Sequence, residues 1–343
     1  MRSYEQLDLD LQPGLVLVIG PNGAGKTNLL EAAHVGTQGF SLRTRSDAEL
    51  VRFGTEAGRV GVHGELGASP LAIEVTVRRG DGKRANLNGA PLRSAERLRA
   101  TASVLVFTPD RLAVAKGGPA VRRAYFDRAI GRMWAARATL SVEYGAAVAQ
   151  RNIALRRVAS GRSSAGALVP WTERVVVLGA RLVDARRELI RDLQPRFTAV
   201  AAEVGLDRAE LRYDGVAPCR ADLEARLDRD LERGATGVGP HLEDVVIVAD
   251  DREVRAFASQ GEQRLAVLSL LLAESELLSE RRGIPPLLLL DDVLSELDER
   301  RRRILAGRIS GPGQALVTAT AAHALPIEPA ELVEVVPGAA RSS

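Results

Sequence analysis

The chain runs to 343 residues, 45% hydrophobic and 27% charged, with a formal net charge of +3. It is long enough for one large or two modest cores, has no apolar run that could span a bilayer and no apolar signal core behind Met1-Arg2-Ser3-Tyr4, and so reads as cytoplasmic with no membrane partner. The lone Cys219 and four scattered histidines exclude an internal disulfide and a zinc-type centre.

Leu15-Val16-Leu17-Val18-Ile19 predicts a buried strand, and Asn28-Leu29-Leu30-Glu31-Ala32-Ala33 a helix start. Between them Gly20-Pro21-Asn22-Gly23-Ala24-Gly25-Lys26-Thr27 fits the phosphate-loop pattern G-x-x-x-x-G-K-[ST] in the strand–loop–helix context that the pattern requires. Glycines 20, 23 and 25 let backbone N–H groups turn inward around phosphate oxygens. Lys26 adds a mobile cation for the β and γ phosphates, and the Thr27 hydroxyl can ligate Mg²⁺. A nucleoside triphosphate with Mg²⁺ is the expected ligand. The chain holds only three lysines, Lys26, Lys83 and Lys116, beside 44 arginines, so a lysine at this position is selected for its chemistry.

Period-two alternation over residues 59–66, 71–79 and 84–89, with a turn at Asp81-Gly82-Lys83, predicts an antiparallel β subdomain. Residues 103–107 return as a further strand. The character changes at Lys116-Gly117-Gly118-Pro119. From there to about Arg233 the pattern is helical, with apolar stripes through Val121, Tyr125, Ile130 and Trp134 and then through Leu178, Leu182, Leu189 and Leu193. Trp134 and Trp171 read as core residues rather than base-stacking platforms. Asp244-Val245-Val246-Ile247-Val248 resumes strand character.

The expected organisation is an α/β ATPase lobe formed by residues 1–116 and 236–343, interrupted by an inserted, mostly helical arm at 117–235. That arm holds 21 arginines and no lysine against 15 acidic residues, a surplus of +6 that leaves −3 for the rest. Concentrated positive charge suits a phosphate backbone, although arginine–glutamate helices are also common solvated faces.

Leu287-Leu288-Leu289-Leu290-Asp291-Asp292 is an apolar strand ending in two carboxylates at the edge where a parallel sheet binds its ligand. Asp291 is expected to hold Mg²⁺ with Thr27 through water, and Asp292 to orient an attacking water or take its proton. Between loop and strand lies Ser259-Gln260-Gly261-Glu262-Gln263-Arg264. Ser259 and Glu262 form a capping box, and a capped helix start with a bare glycine is equally an anion site.

Residues 259–263 resemble the signature motif of ABC ATPases, and Ser295-Glu296-Leu297-Asp298 resembles their D-loop. The ordered blocks at 20–31, at Phe107-Thr108-Pro109-Asp110 leading to Lys116 and Arg122-Arg123, at Gly237-Val238-Gly239-Pro240-His241, at 259–264 and at 287–298 with Thr318-Ala319-Thr320 are similar to those of the RecF family, bacterial repair ATPases of the ABC/SMC-like class. The resemblance spans residue 14 to about 320. It implies an ABC-type P-loop ATPase head, and a head-to-tail dimer in which Ser259 and Gly261 of one chain reach ATP held by residues 20–27 of the other. It also implies binding of single-stranded, duplex or junction DNA, RecO/RecR-type repair partners, recombinase loading, and a part in the SOS response to damage.

Several positions depart from the family pattern. The usual opening strand is not evident ahead of Tyr4, Leu242 stands where the family has a cation after Gly-Pro-His, and Asp292 replaces the glutamate of the wider class, which predicts slow hydrolysis. The switch histidine is missing near 315–320, where Thr320 is the preferred occupant over His323, and Asp110 stands in for the Q-loop glutamine. Two alternatives share the motifs. A transporter-type ATPase subunit is opposed by the 265-residue separation of Lys26 and Asp291, whereas a hydrolysis-deficient, nucleotide-gated scaffold is compatible with the departures.

Overall fold

A computed structural model describes residues 1–44, 46–94 and 96–342. In chain order the elements begin β1 (Leu15–Ile19), α1 (Lys26–Gln38), β2 (Ala57–Leu66), β3 (Ser69–Arg78), β4 (Gly82–Leu87), β5 (Ala90–Leu92), α2 (Glu96–Thr101) and β6 (Val104–Phe107). There follow α3 (Ala113–Lys116), α4 (Pro119–Met133), α5 (Leu140–Ala159), α6 (Val169–Glu203), β7 (Glu210–Arg212), α7 (Arg220–Ala225), α8 (Leu227–Arg233), β8 (Val246–Ala249), β9 (Arg252–Glu253), α9 (Val254–Phe257) and α10 (Gln260–Arg282). The chain closes with β10 (Leu287–Leu290), α11 (Glu299–Ile309), β11 (Ala315–Ala319), β12 (Glu331–Val336) and β13 (Ala339–Ser342). Two compact units result, one from residues 1–111 and 274–343, the other from 112–273.

The first unit is built on a six-stranded sheet of order β13-β12-β1-β11-β10-β6, parallel throughout except at β13. Strands buried on both faces need apolar side chains on both, and β1 and β10 supply them in the runs LVLVI and LLLL. Val16, Val18, Leu289, Leu316 and Val333 meet in one core beneath Leu30 of α1. The antiparallel subdomain is the sheet β2-β3-β4-β5, where Ile73, Val75 and Val77 pack with Val35 of α1. Its second turn differs from expectation. Arg78 pairs with Gly82, so the chain reverses over residues 79–81 and Gly82 already belongs to β4.

The second unit carries the helices. Leu178, Leu182, Leu189 and Leu193 are all buried along α6, as are Tyr125 and Ile130 of α4, while Val121 in the first turn of α4 faces outward. Trp171 packs against the small core of Leu155 and Leu168, with Leu227 and Leu231 of α8. Arginine does structural work here: the Arg151–Asp230 pair is buried on both sides at 2.8 Å, and Arg186 reaches Asp127 at 2.8 Å. A charge taken out of water must be paired, and these are.

The second unit also extends beyond the expected boundary at residue 235. The segment 244–248, expected as a strand within the 236–343 part of the ATPase lobe, supplies β8, which pairs antiparallel with β7 and β9 in a separate three-stranded sheet. A three-residue partner strand such as β7 leaves almost no periodic signal. No helix among the described residues is long and apolar enough to cross a membrane.

Candidate nucleotide site

The loop at 20–27 leaves the C-terminal end of β1 and ends in α1. Gly20 has φ +153°, and a Cβ there would stand 2.3 Å from the Val335 carbonyl oxygen of neighbouring β12, so only glycine fits. Gly25, at φ +118°, is the N-cap of α1, and Tyr4 Oη donates to its carbonyl at 3.1 Å. No side chain caps α1 and its first turn holds no acidic residue. The helix therefore presents its amide N–H groups and positive dipole end to whatever the loop encloses. Lys26 Nζ folds back along the loop, donating to the carbonyls of Gly20 at 2.6 Å and Pro21 at 3.0 Å.

Asp291 directly follows β10, and sheet order brings it to the same edge as the loop. Thr27 Oγ1 donates to Asp291 Oδ2 at 2.9 Å and Oδ1 at 3.1 Å, joining residues 264 positions apart. Thr318 Oγ1 on β11 donates to Asp291 Oδ1 at 2.8 Å and accepts the Asp292 N–H at 2.8 Å. Asp291 is buried at 7% exposure, while Asp292, next in the chain, is exposed and has a left-handed backbone at φ 50°. One strand end thus delivers one carboxylate inward to Thr27 and a second carboxylate to solvent.

Pro21's neighbours Asn22 and Gly23 line an open cleft of about 380 Å³ with Lys26, Thr27, Asn28, Arg43, Pro109, Asp291, Asp292 and Thr318. Arg43 was not singled out in the sequence, because it lies in a loop with no motif around it. It donates to Asn28 Oδ1 at 3.0 Å and pairs with Glu31 at 3.5 Å. Burial would raise the Glu31 carboxyl, but hydrogen bonds from Arg2 and Ser41, with the charges of Arg2 and Arg43, hold it below its ordinary value. His34, deeper on α1, is pushed down to about 4 by burial, and its Nδ1 lies 2.9 Å from the Phe40 carbonyl. The helix under the cleft is therefore seated by a fixed anion and a neutral imidazole.

Residues 259–263 belong to the second unit. The capping box is present: the Ser259 N–H donates to Glu262 Oε2 at 2.7 Å, and the Glu262 N–H to Ser259 Oγ at 3.3 Å. Ser259 and Gly261 are exposed, whereas Gln263 is buried and donates to the carbonyls of Val254 and Ala258. Gly261 is not in a left-handed conformation, and a Cβ there would meet nothing closer than Ser259 Oγ at 3.9 Å. Nothing among the described residues requires glycine at this position.

Other expected residues take different places. His241 is internally satisfied, Nδ1 2.7 Å from Tyr144 Oη and Nε2 3.0 Å from the Thr236 carbonyl. Thr320 is exposed, and it is Thr318 that contacts the acid pair. Pro109 rather than Asp110 reaches the cleft. Asp298 caps α11 by accepting the Arg301 N–H at 2.8 Å.

Residues 1–337 match the RecF/RecN/SMC N-terminal domain family. The chain is 40% identical to a DNA replication and repair protein RecF from Anaeromyxobacter sp. (strain K), covering 93% of this chain and 90% of that protein. It is 39% identical to a RecF from Myxococcus xanthus (strain DK1622) over 93% and 88%. A solved recombination mediator protein RecF with ATP superposes with TM-score 0.88 at 29% identity, over 100% of this chain and 95% of that one. An Smc head bound to the winged-helix domain of ScpA shares the fold at TM-score 0.63, 15% identity and coverage of 100% and 94%. With the P-loop ATPase head and helical arm already apparent in its own architecture, the chain belongs to the RecF/RecN/SMC N-terminal domain family and groups there with RecF proteins.

Proposed function

We propose that this chain is an ATP-dependent DNA-binding protein of recombinational repair and replication, whose ATP-bound head-to-tail dimer holds DNA and whose slow hydrolysis releases it. The observation that carries the reading is the contact between Thr27 and Asp291 at 2.9 Å, which joins the two distant motifs into one half-site beside an uncapped helix.

The donor set suits Mg²⁺, since the Thr27 hydroxyl and Asp291 carboxylate are hard oxygens already convergent, with open space for water ligands. Thr27 and Asp291 would hold Mg²⁺, which when bound would offset the charge of the ATP phosphates. Lys26, now bonded to two loop carbonyls, exchanges them for phosphate oxygens. Asp292, exposed beside Asp291, orients the attacking water, and its short side chain is consistent with a timed switch. Ser259 and Gly261 serve a second chain. Gly261, in the first turn of α10, is crowded by no described neighbour, and close approach by another molecule would account for a bare backbone there.

DNA contact falls to the arginines that folding leaves over. The side chains of Arg157, Arg174, Arg181, Arg229 and Arg233 are exposed and make no hydrogen bond or ion pair with described residues, unlike Arg122, Arg151 and Arg186. Dimerisation doubles such a footprint. RecO- and RecR-type proteins are the expected partners, on the precedent of the similar proteins named for that pathway.

Sedimentation tests the reading. The chain should be monomeric without nucleotide, dimeric with ATP and Mg²⁺, and should bind duplex DNA with an affinity that falls with salt. A mass unchanged by ATP, or DNA binding indifferent to both nucleotide and salt, would refute it.

A further inference from the structure

Thr318 is the next-to-last residue of an otherwise apolar, fully buried strand and is itself 0% exposed. Valine has nearly the same shape, suits a parallel strand at least as well, and would bury no hydroxyl. The hydroxyl is nevertheless fully used. Sheet register sets Thr318 opposite Val18, two residues before Gly20, and Val317 opposite Leu290, the residue before Asp291. Thr318 therefore stands between the strand that feeds the loop and the strand that ends in the acids. Its one proton goes to Asp291 Oδ1, and its lone pair takes the N–H of Asp292, whose left-handed backbone is uncommon for a residue with a side chain.

We infer that Thr318 is a positioning residue that couples the two carboxylates: one hydroxyl fixes the rotamer of Asp291 toward Thr27 and, at the same moment, the backbone turn that presents Asp292. The inference rests on the proposed roles of Asp291 and Asp292 and adds the device that keeps them in register. Thr27 alone cannot orient Asp291 throughout, because its oxygen is also the one offered to the cation. A second anchor, at Oδ1, keeps the acid aimed while Thr27 changes partners.

Thr318→Val and Thr318→Ser separate positioning from packing. Binding of a fluorescent ATP analogue is titrated against Mg²⁺, with melting of the free protein measured alongside. The valine chain should need roughly 10- to 100-fold more Mg²⁺ for half-maximal binding, with binding in EDTA unchanged, and the serine chain should stay within a few-fold of wild type. A valine chain that melts lower with an unaltered Mg²⁺ requirement would overturn the inference, as would a serine chain as impaired as valine. If valine prevents folding, Thr318→Cys, which loses the methyl but keeps a weak S–H donor, should give a Mg²⁺ shift larger than that of serine; no shift overturns the coupling. Lys26→Ala in the same titration is the control for the underlying reading: if it still binds the analogue normally, the nucleotide site itself is wrongly assigned, whatever Thr318 does.

Discussion

The loop at 20–27 and the segment at 259–263 are both glycine-bearing helix starts, and they are finished in opposite ways. The loop's helix has no cap and no acid in its first turn, its glycines at 20 and 25 are forced by backbone and neighbours, and its threonine is already bonded to Asp291. The other helix start is closed by its own Ser259–Glu262 box, its glycine is forced by nothing, and its polar face is left to solvent. A helix start already closed by its own cap, carrying a glycine that no described neighbour crowds, is what the proposed contact with a second chain would account for. On the proposed reading, the loop is one half of a shared site and the capped segment is the other half.

This contrast can be broken at either side. The largest expected effect is at Asp292: Asp292→Asn should lower the hydrolysis rate by roughly 10²- to 10⁴-fold, with ATP binding kept and dimers outlasting those of wild type in sedimentation. A rate near wild type would favour the nucleotide-gated scaffold over a hydrolytic switch. Next, Lys26→Ala should weaken ATP binding by on the order of a hundredfold, the loss of two charge-assisted hydrogen bonds, without moving the melting temperature of the free protein. A large melting change would assign Lys26 to the fold.

The seating of α1 gives a pH signature. His34 is held neutral, down from 6.5 to about 4, so its stabilisation is complete above 6.5 and is lost as pH falls toward 4. Between pH 7 and pH 5 the unfolding free energy should drop by about 2 kcal/mol. His34→Gln, which can still donate to Phe40, should flatten that fall in urea titrations; a slope unchanged by the substitution would place the titrating group elsewhere. On the other side of the comparison, Gly261→Ala should leave the free protein equally or slightly more stable, since alanine suits a helix better. It should still weaken ATP-dependent dimerisation by about tenfold through crowding at a close contact. Destabilised monomers with normal dimerisation would reverse the assignment.

Much of this was legible in residue order. The loop pattern, the apolar strand ending in Asp291 and Asp292, and the box at Ser259 and Glu262 are local signals, and each stands where its spacing placed it. What could not be read is what the sheet brings together. Thr318 looks like one more residue of a buried strand until register sets it beside Asp291, whereas the sequence favours the exposed Thr320 for the switch position. Arg43 carries no motif, and its place on the cleft follows from how the loop after α1 folds back to Asn28. The arginine surplus of the middle region was visible as a sum, yet the division between structural pairs such as Arg151–Asp230 and uncommitted cations such as Arg174 and Arg181 is a property of packing. That β8 belongs to the second unit follows from its pairing with β7, too short to signal itself.

The composite site is tested most directly by mixing two broken chains, Lys26→Ala with an intact signature segment and Ser259→Arg with an intact loop, and measuring ATP hydrolysis with the mass of the complex. Each alone should be inactive and monomeric in ATP, while the mixture should form dimers and regain activity, because one pairing of the two chains rebuilds a complete site. A mixture as inactive as its components, or a Ser259→Arg chain that hydrolyses ATP unaided, would contradict a site shared between two molecules.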